Sequence, residues 1–158
     1  MNGWLVDTNV IASLVALNGA PGVKAWGRAV DERQLFISIL TLAEYDKGVA
    51  NRINSDPNRA RHTATRNAVE DRFEGRILPL SDAIVRRWGA IAGRVKRETG
   101  HSPSVIDTLL AATAIEAELY LVSRNTRDLL HSGAVVFDPW IDELSKFPLT
   151  GYRYAKKL

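Results

Sequence analysis

The sequence predicts an α/β protein of three layers, α/β/α, built on a central parallel sheet of about five strands. Three observations predict it. Short apolar runs recur at Trp4-Leu5-Val6, Leu35 to Ile39, Ile77-Leu78, Leu119 to Val122 and Ala134 to Phe137. Between them the apolar residues repeat with helical rather than alternating spacing. Acidic residues, finally, recur at or near the points where a strand hands over to a helix.

Taken in order, Trp4-Leu5-Val6 is a buried strand, and Asp7 or Thr8 caps the helix after it, which carries Val10, Ile11, Leu14, Val15 and Leu17. Gly19-Ala20-Pro21-Gly22 breaks that helix. A second helix, about Val23 to Glu32, sets Val23, Trp26 and Val30 on one face, and Leu35 to Ile39 forms the next strand. Leu42 to Ile53 reads as a helix, ended by the turn signal Ser55-Asp56-Pro57-Asn58. Residues 58–75 form a polar helix with few core contacts, followed by the strand Ile77-Leu78. Ser81 is an N-cap. The helix over 82–99 carries Ile84, Trp88, Ile91 and Val95 on one side and Arg86, Arg87, Arg94, Lys96 and Arg97 on the other. After the loop Gly100-His101-Ser102-Pro103 comes an Ala-rich buried helix, Ser104 to Ala117, and then the last two strands, closed by Asp138-Pro139. Trp26 and Trp88 are expected in the core. Residues 1–146 form one domain, and 147–158 a loosely ordered tail with Arg153, Lys156 and Lys157.

A chain of 158 residues fits one domain. At that size roughly 70% of the unfolded surface is buried, enough for a core without staples. Apolar residues make up 46% and charged residues 25%, so neither disorder nor a fibrous class applies. With no cysteine, disulfides and thiolate metal sites are excluded. There is no signal-peptide pattern, and no apolar run nears the ~18 residues that span a bilayer. A cytoplasmic protein with no membrane partner is expected. The net charge of +3 permits nucleic acid as a partner without demanding it.

Four acids carry the chemistry: Asp7, Glu44, Asp107 and Asp128. Asp7 follows the first strand, Glu44 the second, Asp107 opens the Ala-rich helix, and Asp128 follows Leu119 to Val122. If the strands are parallel, all four converge where open α/β sheets hold their ligands, outside the carboxyl ends of the strands. Crowded carboxylates repel and need a cation. Oxygen-only donors suit Mg²⁺ or Mn²⁺, which lowers the pKa of a bound water and holds a phosphodiester for attack. Each acid has a plainer reading too: Asp7 as an N-cap, Glu44 as a solvated helix residue, Asp107 as the partner of Ser104 in a capping box, and Asp128 as a loop acid. What sets the four apart is their recurrence at one structural locus.

Thr8, Asn9, Ser123 and Asn125 add polar groups at the same edge, suited to orienting water or phosphate, although they also favour turns. Arg124 either meets a phosphate or faces solvent. His62, His101 and His131 lack paired ligand spacing. Arg52, Arg59, Arg61, Arg66, Arg72 and Arg76 with Lys47 form either a nucleic-acid face or a solvated face of mixed charge. No Gly-rich phosphate loop or nucleophile elbow is present.

Leu5-Val6-Asp7-Thr8-Asn9-Val10-Ile11 resembles the opening motif of PIN-domain proteins, whose fold is Rossmann-like. Ile39 to Glu44, Ile106 to Ala114 and Leu121 to Asp128 resemble the later motifs in order, and Phe137-Asp138-Pro139-Trp140 resembles the closing segment of the VapC toxins of toxin–antitoxin pairs. The resemblance covers about residues 4–140. It implies a Mg²⁺- or Mn²⁺-dependent endoribonuclease, a homodimer, and a cognate antitoxin lying across the acidic cleft. Carried over by position, Asp7, Glu44 and Asp107 are metal-site acids, and the fourth place falls to Asn125 or Asp128. Two rival readings remain. A phosphatase of the haloacid-dehalogenase type also starts with an Asp after its first strand but needs a second Asp where this chain has Asn9. A non-catalytic module would keep the acidic cleft to dock a basic peptide.

Overall fold

The computed structural model describes residues 1–150. In chain order the elements are β1 (Trp4–Val6), α1 (Thr8–Val15), α2 (Pro21–Ala29), a 3₁₀ turn (Glu32–Gln34), β2 (Leu35–Ser38), α3 (Ile39–Ala50) and α4 (Arg59–Arg72). There follow β3 (Ile77–Leu78), α5 (Asp82–Thr99), α6 (Val105–Glu116), β4 (Tyr120–Val122), the single-turn helix α7 (Thr126–Leu129), β5 (Val136–Phe137) and a second 3₁₀ turn (Leu144–Lys146). The strands form one five-stranded parallel sheet in the order β3-β2-β1-β4-β5.

Strand alternation sorts the core into two layers. Trp4 and Val6, Leu35 and Ile37, Tyr120 and Val122, and Phe137 face one side, where they meet Val10 and Ile11 of α1, Val23 and Trp26 of α2, and Leu42 of α3. Leu5, Leu121 and Val136 face the other side and meet Leu110, Ala111 and Ala114 of α6. Ile84, Ile91 and Val95 then pack α5 on the back of α6 through Ala112. The strands are only two to four residues long. Their ladders alone are marginal, so burial holds them: each fully buried large side chain contributes ~1.5–3 kcal/mol relative to exposure.

Several boundaries differ from the sequence reading. α1 ends at Val15, and Leu17 is wholly exposed rather than part of an apolar face. The chain doubles back there: Ala20 N–H donates to Ser13 Oγ at 2.9 Å, and a Cβ on Gly19 would lie 1.8 Å from the Ser13 carbonyl oxygen, so only glycine fits. α2 starts at Pro21, whose fixed φ suits a first helical position, and ends before Glu32, which enters a 3₁₀ turn capped by Asp31. Ser38 Oγ accepts from Leu40 N–H at 3.2 Å and so starts α3 at Ile39, a residue expected in the strand. Trp26 is core, whereas Trp88 is half-buried against the α5–α6 cluster. α4 touches the core only at Val69 and, just past its end, Phe73.

The expected loose tail is packed where it is described. Phe147 stacks edge-on against Tyr120 and Phe137, Tyr120 Oη donates to the Pro148 carbonyl at 3.0 Å, and Thr150 N–H donates to the Met1 carbonyl at 3.0 Å. Arg153, Lys156 and Lys157 lie outside the described residues.

Candidate functional site

The strand order reverses direction between β1 and β4, which makes the carboxyl ends of these two strands a switch-point crevice. Asp7 stands in it. Its backbone N–H donates to the Val122 carbonyl at 3.0 Å, and it is the N-cap of α1, with Oδ1 accepting from Thr8 N–H at 2.7 Å. The cap reading of Asp7 therefore holds. Oδ2 accepts from Ser123 Oγ at 2.6 Å and from Asn9 Nδ2 at 2.7 Å. Only 7% of Asp7 is exposed. Burial outweighs these donors and, together with the nearby Glu44 charge, raises its pKa above that of an ordinary aspartate.

Asp107 reaches the same edge by a different route. α6 precedes β4, so it runs antiparallel to the sheet and opens at the carboxyl end of the strands. Ser104 caps it, its Oγ accepting from Asp107 N–H at 3.4 Å, and Asn125 Nδ2 donates to Asp107 Oδ2 at 2.9 Å. Burial is the largest cause raising the Asp107 pKa; the charges of Asp7 and Asp128 add to it, against the Ser104 and Asn125 hydrogen bonds.

Glu44 lies half-buried on α3, where Thr8 Oγ1 donates a hydrogen bond to its Oε2. Asp128 is exposed on α7 and acts on Asp107 through charge, while Asn125 makes the contact. Asn9 spans both loops: its Nδ2 also donates to Ser123 Oγ at 3.3 Å, and its Oδ1 accepts from Arg124 N–H at 3.3 Å. Ser123 Oγ in turn accepts from Asn125 N–H at 3.0 Å. The polar groups named from the sequence thus form one connected network that fixes the Asp7 and Asp107 carboxyls.

Among the described residues no Lys or Arg forms an ion pair with Asp7, Glu44, Asp107 or Asp128. Asp107 feels the charges of Asp7 and Asp128, and Asp7 that of Glu44, with no basic partner to offset them among the described residues. Among the described residues no group of three or more Asp, Glu, His or Cys side chains stands ready to hold one ion. That still suits Mg²⁺ or Mn²⁺, since Mg²⁺ is usually bound by one or two carboxylates plus waters and substrate phosphates. Asp7 and Asp107 fit as that pair in charge and donor type.

The basic residues of the second quarter are largely engaged. Arg66 pairs with Asp46 at 2.7 Å and with Glu70, Arg72 with Glu32 at 2.7 Å, Arg52 with Asp56 at 2.7 Å, and Arg76 donates to the Leu35 carbonyl at 2.9 Å. They brace α4 against α3 and β2. Arg124 is exposed, and its guanidinium lies 5.3 Å over the Trp140 ring. Two neighbours escaped the sequence reading. Trp140 is one; its signal was its place at the end of the closing motif. The other is Tyr45, whose buried hydroxyl has no hydrogen-bond partner among the described residues and whose pKa is pushed up by burial and by Glu44. Nothing in the sequence marked it.

A three-layer α/β/α fold with an acidic crevice at its switch point defines the class. Residues 4–132 match the family model for the PIN domain, and the chain belongs to that family. It is 29% identical to Toxin FitB of Neisseria gonorrhoeae over 138 residues, 87% of this chain and 99% of that protein. It is 28% identical to VapC ribonuclease Y4jK of Sinorhizobium fredii over 140 residues, 86% of this chain and 96% of that one. A structure of FitAB bound to an IR36 DNA fragment superposes with a TM-score of 0.77 at 28% identity, covering 89% of this chain and 97% of the other. No helix among the described residues is long and apolar enough to cross a membrane.

Proposed function

We propose that this chain is the endoribonuclease toxin of a toxin–antitoxin pair, hydrolysing RNA phosphodiester bonds with Mg²⁺ or Mn²⁺. One observation carries the reading: the Asp7 carboxyl, nearly buried, stays close to Asp107 and Glu44 with no basic partner among the described residues. The similarity to a protein named VapC ribonuclease supports it. Asp7 and Asp107 would hold the ion, and Glu44 with Asp128 or Asn125 would complete the site. The chemistry a bound Mg²⁺ or Mn²⁺ supplies here is an activated water and relief of phosphate charge.

The chain's own part is positioning. Ser123 and Asn9 fix the Asp7 carboxyl, Asn125 fixes that of Asp107, and Thr8 holds Glu44. Arg124 stands at the rim to orient the substrate. The partners that go with this reading are RNA, a cognate antitoxin whose segment covers the crevice, and a second copy of the chain.

An RNA-cleavage assay with and without chelator tests the proposal. The wild type is expected to cleave with Mg²⁺ or Mn²⁺ and to stop in chelator, and Asp7→Asn to be inactive while keeping a wild-type circular dichroism spectrum. A folded Asp7→Asn protein that cuts RNA at the parent's rate refutes the assignment. Absence of both cleavage and metal binding would point instead to the docking module.

A further inference from the structure

We propose that Arg124, set over the Trp140 ring, is a phosphate-binding element that takes the backbone of single-stranded RNA beside the acidic crevice. This rests on the ribonuclease reading and adds how a polyanion is held next to clustered carboxylates. Acids at the crevice repel RNA, so a cation must stand nearby to offset them.

Arg124 meets that need by position. Its backbone N–H is held by Asn9 Oδ1 at 3.3 Å, and the same Asn9 side chain donates to Asp7 at 2.7 Å. The cation is therefore tied to the loop that carries the acids. Its side chain is also free in the relevant sense. Among the described residues the guanidinium makes no ion pair or hydrogen bond, and it lies 5.3 Å over the Trp140 ring. The ring's contact leaves the guanidinium N–H groups without a protein acceptor among the described residues, and a guanidinium fork suits two phosphate oxygens.

The Trp140 backbone is well held. Its backbone N–H donates to Asp138 Oδ1 at 2.9 Å, and the Asp138 backbone N–H donates to Asp142 Oδ2 at 2.8 Å. The first turn of α2 lies against it so closely that a Cβ on Gly22 would come within 2.5 Å of the Pro139 carbonyl oxygen. The ring contact thus biases a long, exposed side chain toward one place before RNA arrives.

The test measures binding of a labelled single-stranded oligoribonucleotide by the Asp7→Asn protein in Mg²⁺, by anisotropy over a series of salt concentrations, with wild-type cleavage as a parallel check. In that background Arg124→Gln is expected to weaken binding roughly 10-fold or more. It should also flatten the log affinity against log salt slope by about 0.7, the loss of one phosphate contact. Trp140→Leu is expected to weaken binding with little change of slope, since the charge remains, and Trp140→Phe to restore most of the affinity. An Arg124→Gln protein with the parent's affinity and slope overturns the inference while leaving the ribonuclease reading intact. So does a folded Trp140→Leu protein that binds like the parent. A wild-type protein that does not cleave RNA fails the ribonuclease reading, and this inference falls with it.

Discussion

Ser123 donates its hydroxyl hydrogen to Oδ2 of Asp7 at 2.6 Å, joining residues 116 positions apart at the seam of β1 and β4. The bond sits in a buried place and sets which way the carboxyl faces. Ser123→Ala removes it and leaves the acid, so RNA cleavage is expected to fall ~10–100-fold, as for other groups that orient a metal-site ligand. The chelator-sensitive residual activity should remain. A rate equal to the wild type's would remove Ser123 from the site.

Thr8 offers a parallel case on the other side of the crevice, where its hydroxyl donates to Glu44. Thr8→Val keeps shape and loses the donor, and its cleavage rate is expected to drop by a similar ~10–100-fold. Thr8→Ser, which restores the hydroxyl, should recover most of it. Failure of serine to rescue would assign the loss to packing.

Stability should respond to pH through the same acids. Asp7 and Asp107 have folded-state pKa values above the 3.8 of an ordinary aspartate. Between 3.8 and the raised values the folded chain binds more protons than the unfolded one, so stability present at low pH is lost as pH rises through that interval. Asp31, Glu32 and Asp56, held low by hydrogen bonds to arginines and backbone, act with the opposite sign. The test is therefore a difference. In chelator, wild-type melting temperature minus that of Asp7→Asn should fall as pH climbs from about 4 through the raised range, and a rising difference contradicts the sign.

Added ion should reverse that loss. At 100 times its dissociation constant, Mg²⁺ or Mn²⁺ is expected to stabilise the wild type by about 2.7 kcal/mol, or roughly 5–11 °C in melting temperature. Asp7→Asn should gain much less. Equal gains in both proteins would move the ion elsewhere.

Packing beneath the site is open to a simple check. Leu110, 2% exposed on α6, fills the layer under Leu5 and Leu121. Leu110→Ala is expected to cost ~2–5 kcal/mol in urea unfolding. A loss below about 0.5 kcal/mol, the ordinary surface range, would show that this layer is not a core.

Much of this was legible in the sequence. Strand positions followed from apolar runs, and the parallel sheet from helices between them. Asp7 and Asp107 stand at the expected edge, linked through Ser123 and Asn125, and Thr8 reaches Glu44 there, although among the described residues no three acids gather into one ion-holding group. Helix starts were read late at Pro21 and Ile39, because Ser38 caps α3 by a local hydrogen bond that periodicity does not register. Leu17 misled because its spacing fits α1, while Gly19 turns the chain before Leu17 can pack. Pairwise contacts were not legible at all. That Asn125 rather than Asp128 touches Asp107, or that Arg124 lies on Trp140, depends on the angle of loops that no local pattern fixes.

The central place of β1, with β2 on one side and the late strand β4 on the other, has a consequence for synthesis on the ribosome. Asp7 and its near neighbour Asn9 emerge early, yet Ser123 and Asn125, which also hold the Asp7 and Asp107 carboxyls, emerge more than a hundred residues later. A truncated product lacking β4 and the loop after it keeps all three acids, Asp7, Glu44 and Asp107, without that second set of contacts. Chains that end before Ser123 therefore lack the contacts that join the Asp7 and Asp107 carboxyls into one network.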